Sequence, residues 1–289
     1  MSRINHNISA MITGQSLGKN DAGLSKSLER LSTGLRINRA ADDVAGLSVS
    51  ETLRAQIRGT AMASRNASDG VALLNIAEGA CSEVSEILQR MRELAIQSDN
   101  DTMTTNERSY LDGEFQTLML EIQRISSSTQ YNGMSLLDGG ATSFGAAGSG
   151  YSVLQIGPNI NGGNIHGTVD TFAVNILPLT LGALGLPQNL MSISSRNGAF
   201  AAISAVDGAI RSVSTVRSNL GAVVNRLDHA MKNLEVQDTN ITSAESSIRD
   251  VDFATEMTEF TRNQILSQSA TAMLAQANQA PERVLELLK

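Results

Sequence analysis

The chain of 289 residues has one cysteine, four prolines, no tryptophan and only 3% aromatic residues. The single cysteine, Cys81, excludes an internal disulfide, and its position among Ala80, Ser82 and Val84 is typical of a small core residue rather than a reactive thiol. Because aromatics are scarce, the apolar surface comes from Ala, Leu, Ile, Val and Met, which suit thin helical layers better than a thick globular core.

Concentrated positive charge and long apolar runs are also missing. The net charge is -7 and the isoelectric point is near 5.0, which argues against nucleic acid and anionic membrane surfaces as partners. No run approaches the roughly 20 apolar residues that span a bilayer. The first 20 residues are too polar for a cleaved secretory signal. The sequence therefore predicts no nucleic-acid partner and no membrane partner.

Groups of residues that would perform chemistry are absent too. His6, His166 and His229 are far apart, and none has a metal-ligating neighbour at a suitable spacing. The carboxylate pair Asp42-Asp43 fits the start of a helix better than acid-base catalysis. The sequence thus predicts no enzyme, no metal and no cofactor.

The strongest positive pattern is a seam of residues spaced alternately by three and four, which is typical of a coiled coil. At about 1.5 Å per residue it would form a rod of roughly 70 Å, which needs partner helices. Only three of its members are polar, and we expect these to meet partners or solvent. The seam comprises Ile203, Val206, Ile210, Val213, Arg217, Leu220, Val224, Leu227, Met231, Leu234, Asp238, Ile241, Glu245 and Ile248.

The N-terminal half has the same helical period and clear stop signals. Gly34 resembles a C-terminal cap, Asp42-Asp43 an N-terminal cap, and Thr104 to Glu107 a capping box. These signals predict a first helix followed by helices at about 44–98 and 105–128, with Asn132-Gly133 forming the turn that ends the last of them.

The middle of the chain changes period, and the ends lose their charge. Residues 151–156 and 168–176 alternate apolar and polar side chains, which predicts a β-hairpin within about 140–190. Between Asp138 and Arg196 only Asp170 is charged, so the segment is either a flexible polar loop or a packed patch. No residue from Asn263 to Pro281 is charged. An exposed surface of this kind would be a liability on a monomer, but in a polymer it would form a contact between copies.

Long runs at both ends of the chain resemble bacterial flagellin. The N-terminal runs are Ile4 to Asn7, Leu31 to Asn38, Ala40 to Asp43, Arg65 to Gly70 and Gln89 to Gln97; the C-terminal runs are Leu220 to Leu227, Ile248 to Asp252, Glu256 to Phe260 and Ala272 to Asn278. The resemblance covers about 1–140 and 190–289. The short middle implies a minimal form without the outer domains of larger flagellins.

The resemblance implies a mainly α fold, with a long antiparallel coiled-coil rod, one β-hairpin, and terminal helices that pair in the core of a filament. Residues 1–42 and 254–289 would form an inner tube, and residues 43–253 a helical outer rod. The inner-tube residues would be Ile4, Ile8, Leu24, Leu28, Leu31, Phe260, Ile265, Leu274 and Leu285.

The resemblance also implies a function and a set of partners. The chain would be exported unfolded by the flagellar type III apparatus, without a cleaved signal, and would assemble with itself into the extracellular flagellar filament. An export chaperone would bind the C-terminal helices, and the filament cap and the hook-filament junction proteins would be further partners. Residues that match the recognition surface for the flagellin-sensing Toll-like receptor are Arg90, Leu94, Gln97 and Glu114, which would also make an axial contact between subunits.

Two other functions remain open at this point. A hook-filament junction protein shares flagellin-like ends, although the detailed match through Gln97 and Asn278 favours flagellin. A cytoplasmic coiled-coil scaffold or signalling protein would need no charge-poor ends, and it would form a small oligomer instead of a filament.

Overall fold

The computed structural model describes residues 6–139, 144, 152–159, 170–187 and 191–286, with side chains up to residue 279 in the last range. This part of the chain forms five helices and two small antiparallel sheets, which confirms the mainly α fold. The elements are α1 (Ile8–Thr33), α2 (Val44–Asp99), α3 (Thr105–Ser128), β1 (Gln130–Tyr131), β2 (Met134–Ser135), β3 (Ser152–Gln155), β4 (Thr171–Val174), α4 (Arg196–Arg249) and α5 (Phe253–Glu286).

The chain divides into two compact units, and α2 and α4 contribute to both. The first unit contains residues 1–57 and 239–289, and the second contains residues 58–238. These boundaries differ from the expected division into residues 43–253 and two terminal helices. Because that division concerns the polymer, the assignment to inner and outer tubes stays a prediction.

The helix boundaries follow the capping signals of the sequence. Gly34 ends α1 in the left-handed conformation, with φ of 73°, and Asp43 accepts a hydrogen bond from the Gly46 amide at 2.8 Å at the start of α2. At the start of α3, Thr104 and Glu107 form a complete capping box. Each of these caps provides a hydrogen-bond partner for a backbone amide or carbonyl that has none within the helix.

In the first unit, α1 and α5 pack side by side in antiparallel directions. Asp21 accepts a hydrogen bond from Ser267 at 2.7 Å, and Arg30 forms an ion pair with Glu256 at 3.2 Å. Residue numbers rise along one helix as they fall along the other, which defines the direction. The expected pairing of the terminal helices is therefore confirmed.

In the first unit, the turn between α1 and α2 is hydrogen-bonded to the turn between α4 and α5. The Arg36 amide donates to the carbonyl of Arg249 at 2.7 Å, and the Val251 amide donates to the carbonyl of Gly34 at 3.0 Å. Ile37, the residue after Arg36, is almost fully buried. The α1–α2 turn and the α4–α5 turn thus form one structure.

In the second unit, α2, α3 and α4 surround a common apolar core. Two ion pairs show that α2 and α4 are antiparallel: Glu78 with Arg217, and Arg92 with Asp207, both at 2.7 Å. Their buried seams interlock as the period predicts. The fully buried members include Leu74, Ala77, Cys81, Val84, Leu88, Met91, Val206, Ala209 and Leu227.

The three polar members of the α4 seam all meet α2. Arg217 forms the ion pair just described, and Asp238 accepts a hydrogen bond from the Thr60 hydroxyl at 3.0 Å, both within the second unit. Glu245 lies 3.9 Å from Arg54 within the first unit. The prediction that these breaks meet partners is confirmed, and the partner is the same helix each time.

The predicted hairpin forms and packs on α2 and α4. Strands β3 and β4 are antiparallel, with Ser152 opposite Val174. Asn66 of α2 donates to the carbonyl of Gln155 at 3.1 Å, and the guanidinium of Arg226 lies 4.2 Å from the Phe172 ring centre. The sequence left open whether this segment is a flexible polar loop or a packed patch, and its described part is a packed patch.

Asn132-Gly133 has a different role from the expected one. Rather than ending α3, which stops at Ser128, it forms the turn of a separate hairpin between β1 and β2. Both turn residues have positive φ, 49° and 79°. Asn-Gly is the pair that favours this hairpin turn, because both residues tolerate the left-handed region.

Among the described helices, only α4 is long and apolar enough to cross a membrane by length and composition, with an 18-residue mean hydropathy of 1.2. Core helices of soluble proteins reach the same value. Here Val206, Ala209 and Val213 of α4 lie in the core of the second unit, which accounts for the apolar character of this helix.

We predict that Asp42 makes the first unit sensitive to acid. A hydrogen bond from the Lys26 ammonium, with backbone amides of Arg39 and Asn38, lowers the pKa of Asp42 from 3.8 to about 2. Because the folded pKa lies below the unfolded one, the stabilisation is present above pH 4 and disappears as the pH falls from about 4 to about 2. Asp42→Asn should cost about 1 kcal/mol at neutral pH, since the pair is partly exposed.

Urea unfolding of the wild type and the variant at several pH values would measure this difference. Lys26→Met is the matched control and should reproduce most of the loss. An equal difference in stability at pH 7 and pH 2 would contradict the role of the carboxylate charge.

Candidate assembly and recognition surfaces

The pair of terminal helices exposes an unusual amount of apolar surface. The contact between α1 and α5 uses small or polar residues: Ser27 and Ala270 are buried, and Gly23 lies so close to Asn263 that an added Cβ would be 2.9 Å from its side-chain nitrogen. Many of the larger apolar side chains therefore lie outside the contact. Those more than 40% exposed are Ile8, Met11, Ile12, Leu28, Phe253, Met257, Ile265, Leu266 and Met273.

A shallow groove of about 560 Å³ runs along α5 within this surface, lined by Met257, Thr258, Thr261, Arg262, Ile265 and Leu266. A two-helix pair cannot cover it, because each helix has only one side turned toward its partner. Exposed apolar patches of this kind mark surfaces that bind other proteins.

The predicted inner-tube residues divide into two groups. Ile8, Leu28 and Ile265 are each more than half exposed, whereas Leu24, Leu31, Phe260 and Leu274 are partly buried in the first unit. Ile4 and the side chain of Leu285 lie outside the described residues. The role of all nine in assembly stays a prediction. Phe253 and Met257 belong to the same exposed surface but were not predicted, although their spacing of four places them on one side of α5.

The contact between α1 and α5 includes a buried ion pair. Arg30 and Glu256 have side-chain exposures of 22% and 7%. Burying such a pair costs desolvation energy, which the attraction only partly offsets. The main role of this ion pair is therefore to fix the register of α1 against α5, whose contact buries few large side chains.

The predicted recognition surface lies on α2 and α3 of the second unit. Arg90 donates to Glu114 at 2.9 Å and to Glu93 at 3.2 Å, and both carboxylates raise the pKa of Arg90, Glu114 more than Glu93. Gln97, seven residues after Arg90, is exposed on the same side of α2. The structure thus brings three of the four predicted residues to one exposed surface or its edge.

Leu94 is the exception, because its buried side chain cannot be part of an exposed recognition surface. Its side chain is 0% exposed and belongs to the core with Met91 and Ala95. The reason is that α3 packs against this side of α2, next to the ion pair between Arg90 and Glu114. The spacing of four residues places Leu94 next to Arg90 on the surface of α2. The sequence does not show that α3 covers Leu94 and leaves Arg90 exposed.

Within the part of the chain that the structure describes, no group of three or more His, Cys, Asp or Glu side chains could hold a metal ion. Cys81 is fully buried, and burial raises the pKa of its thiol to about 12. A thiolate at physiological pH is therefore strongly disfavoured. The interpretation of Cys81 as a core residue is confirmed.

Comparison with known proteins gives a consistent result over the whole chain. Residues 4–142 match the family model of the bacterial flagellin N-terminal helical region, and residues 203–288 match that of the C-terminal helical region. A flagellin of Halalkalibacterium halodurans is 46% identical over 286 residues, which is 99% of both chains. A flagellin of Bacillus subtilis is 44% identical over 312 residues, covering 99% of this chain and 100% of that protein.

A solved structure agrees at the level of fold. The structure of a putative flagellar hook-associated protein from Vibrio parahaemolyticus has a TM-score of 0.57 and covers 72% of this chain and all of that chain. At 16% sequence identity this likeness shows the fold alone.

The long helices, the paired termini and the exposed apolar ends are those of a structural protein. With both terminal regions matched and 46% identity to a relative along its full length, the chain belongs to the bacterial flagellin family. It is a short member, with no outer domains between the two conserved regions.

We predict that Leu94 contributes to stability from within the core. Leu94→Ala should lower the free energy of unfolding by about 2–5 kcal/mol, the usual cost of a cavity in place of a buried leucine. Ile96, two residues away and 47% exposed, is the matched control. Ile96→Ala should cost less than about 1 kcal/mol. Urea unfolding of the monomer, followed by circular dichroism, would measure both, and equal losses would contradict the assignment.

Proposed function

We propose that this chain is the subunit of a helical flagellar filament, in which many copies stack and transmit torque for swimming. The observation that carries this proposal is the exposed apolar surface of α1 and α5, together with membership of the flagellin family. The role is mechanical, and the chemistry consists of burying that surface between copies rather than catalysing a reaction.

The energetic reason for assembly is the removal of this surface from water. Fully burying one Ile, Leu, Met or Phe side chain contributes about 1.5–3 kcal/mol. Nine such side chains remain more than 40% exposed on α1 and α5. Because each is only about half exposed, covering all nine would contribute roughly 7–14 kcal/mol. This is comparable with the entropy lost on association, which is on the order of 4–15 kcal/mol.

The experiment compares assembly of the wild type with that of Met257→Asp combined with Ile265→Asp. Two buried carboxylates in place of apolar side chains should raise the critical concentration at least about a hundredfold. Sedimentation of seeded polymer and negative-stain electron microscopy would measure it.

Leu120→Asp is the control, because Leu120 is 52% exposed but belongs to α3 of the second unit and not to the terminal helices. Polymerisation of the double variant at the wild-type concentration would contradict the proposal. A stable small oligomer from the wild type would instead favour a coiled-coil scaffold, and short capped assemblies would favour a hook-filament junction protein.

The remaining partners follow from the same proposal. The chain leaves the cell unfolded through the flagellar type III apparatus and joins the extracellular filament, where the cap and the hook-filament junction proteins adjoin it. An export chaperone binds the C-terminal helices and covers apolar residues such as Ile265 and Met273, which are 57% and 61% exposed. No nucleic acid or membrane partner is part of the proposal.

A second candidate function is recognition of the monomer by the flagellin-sensing Toll-like receptor. It is motivated by the run from Gln89 to Gln97 and by the exposed side chains of Arg90, Gln97 and Glu114. Leu94 is buried in the core beneath this surface and packs against its inner side. In a polymer the same side chains would make an axial contact between subunits.

We predict that Arg90→Ala combined with Gln97→Ala weakens receptor signalling by the monomer at least tenfold in half-maximal concentration. Arg124→Ala is the control, because Arg124 pairs with Glu121 on the exposed side of α3. A receptor reporter assay with monomeric protein would measure the effect. Equal signalling by the double variant and the wild type would exclude the receptor role.

A further inference from the structure

One exposed line of residues on α2 carries unpaired negative charge. Its members are spaced alternately by three and four, and all are exposed; we name it the α2 outer stripe. Arg90 on this line is held by Glu93 and Glu114. Among the described residues, no basic side chain lies within ion-pair distance of Glu83 or Glu86. The α2 outer stripe comprises Ile76, Gly79, Glu83, Glu86, Arg90, Glu93 and Gln97.

A second exposed line, on α4, carries positive charge and no carboxylate. Arg211 and Lys232 are its first and last residues, and neither forms an ion pair with another side chain in the described ranges. The side chains between them are small or neutral, which allows another helix to approach closely. This α4 outer stripe comprises Arg211, Thr215, Ser218, Ala222, Asn225, His229 and Lys232, all exposed.

The two stripes lie on opposite sides of the second unit and cannot meet within one chain. The buried seams of α2 and α4, which include Leu88 and Leu220, face each other across the core. Each stripe lies on the far side of its helix from that seam. A partner for either stripe must therefore come from another molecule.

The ion pairs between α2 and α4 show that the opposite charges lie at the same level of the unit. Glu78 pairs with Arg217, and Arg92 pairs with Asp207. Glu83 and Glu86 fall between these pairs on α2, and Arg211 falls between them on α4. A copy placed alongside in the same direction would thus bring opposite charges together.

A second copy that is shifted along the helix axis would also bring opposite charges together. Lys232 is three seven-residue repeats beyond Arg211, about 31 Å along the helix, and a shift of whole repeats keeps the stripe on one side. The α2 outer stripe therefore has two positions along α4 at which it meets a basic side chain.

We propose that Glu83 and Glu86 of the α2 outer stripe bind the α4 outer stripe of a second copy of this chain, where they face Arg211 or Lys232. This inference rests on the proposed filament function and assigns one of its lateral contacts. Since the two surfaces differ, the contact does not close on itself, and repetition extends the assembly. Opposite charges of this kind fix the orientation and register of partners more than they raise affinity.

The first test reverses the negative charge. Glu83→Lys combined with Glu86→Lys should raise the critical concentration of seeded polymerisation at least tenfold, because like charges would then face each other. Glu121→Lys on α3 is the matched control and should polymerise like the wild type. Circular dichroism and the melting temperature of each monomer establish that the variants are folded.

The second test restores complementarity. Adding Arg211→Glu or Lys232→Glu to the double variant should recover polymerisation, and the substitution that does so identifies the register. A mixture of the Glu83→Lys, Glu86→Lys chain with a separate Arg211→Glu, Lys232→Glu chain should also copolymerise, although each alone is impaired.

The outcomes separate this inference from the proposed function. Wild-type filaments together with unimpaired polymerisation of the double variant would overturn the lateral contact and leave the filament function standing. Impairment that none of these substitutions or mixtures relieves would also overturn it. Failure of the wild type to form filaments under any seeding condition would instead overturn the proposed function.

Discussion

The packing of the described helices depends on a geometric constraint: each helix can bury only one narrow stripe. In the second unit the stripes of α2 and α4 find each other, and with α3 and the hairpin they form a continuous core. In the first unit the most buried residues between α1 and α5 include small ones such as Ser27 and Ala270, so many of the large apolar side chains remain outside the contact. The same rule thus produces one self-sufficient unit and one whose apolar surface needs further partners.

Polar residues set the register that apolar residues leave undetermined. A seam of Val, Leu and Ala could slide by one repeat at little cost, because each repeat resembles the next. The pairs of Arg217 with Glu78 and of Arg30 with Glu256 have only one matching position. Their energetic contribution is modest or unfavourable, but a displaced register would leave these charges without partners.

Much of this could be predicted from the sequence, because local signals determine local structure. The caps at Gly34, Asp43 and Thr104 gave the helix boundaries to within about a residue, and strand alternation gave the hairpin of β3 and β4. Two predictions were wrong where the outcome depended on a neighbour. Leu94 lies in the core because α3 covers it, and Asn132-Gly133 turns a hairpin because the chain extends again after α3. The exposed apolar side chains of the terminal helices could be suspected from missing charge, but which of them faced solvent required the packing of α1 on α5.

The pairing of α1 with α5 also has a consequence for the order of folding. Its hydrogen bonds and ion pair join residues 226 to 270 positions apart, from Arg30 with Glu256 to Asn7 with the carbonyl of Ala277. Contacts of such high sequence separation form late, because the entropy of closing the intervening loop must be overcome first. A chain that emerges from a narrow channel with either end first cannot form them until nearly its whole length has passed. The first unit therefore completes its fold only after both ends of the chain are free to meet, whereas the contacts between neighbouring helices in the second unit can form earlier.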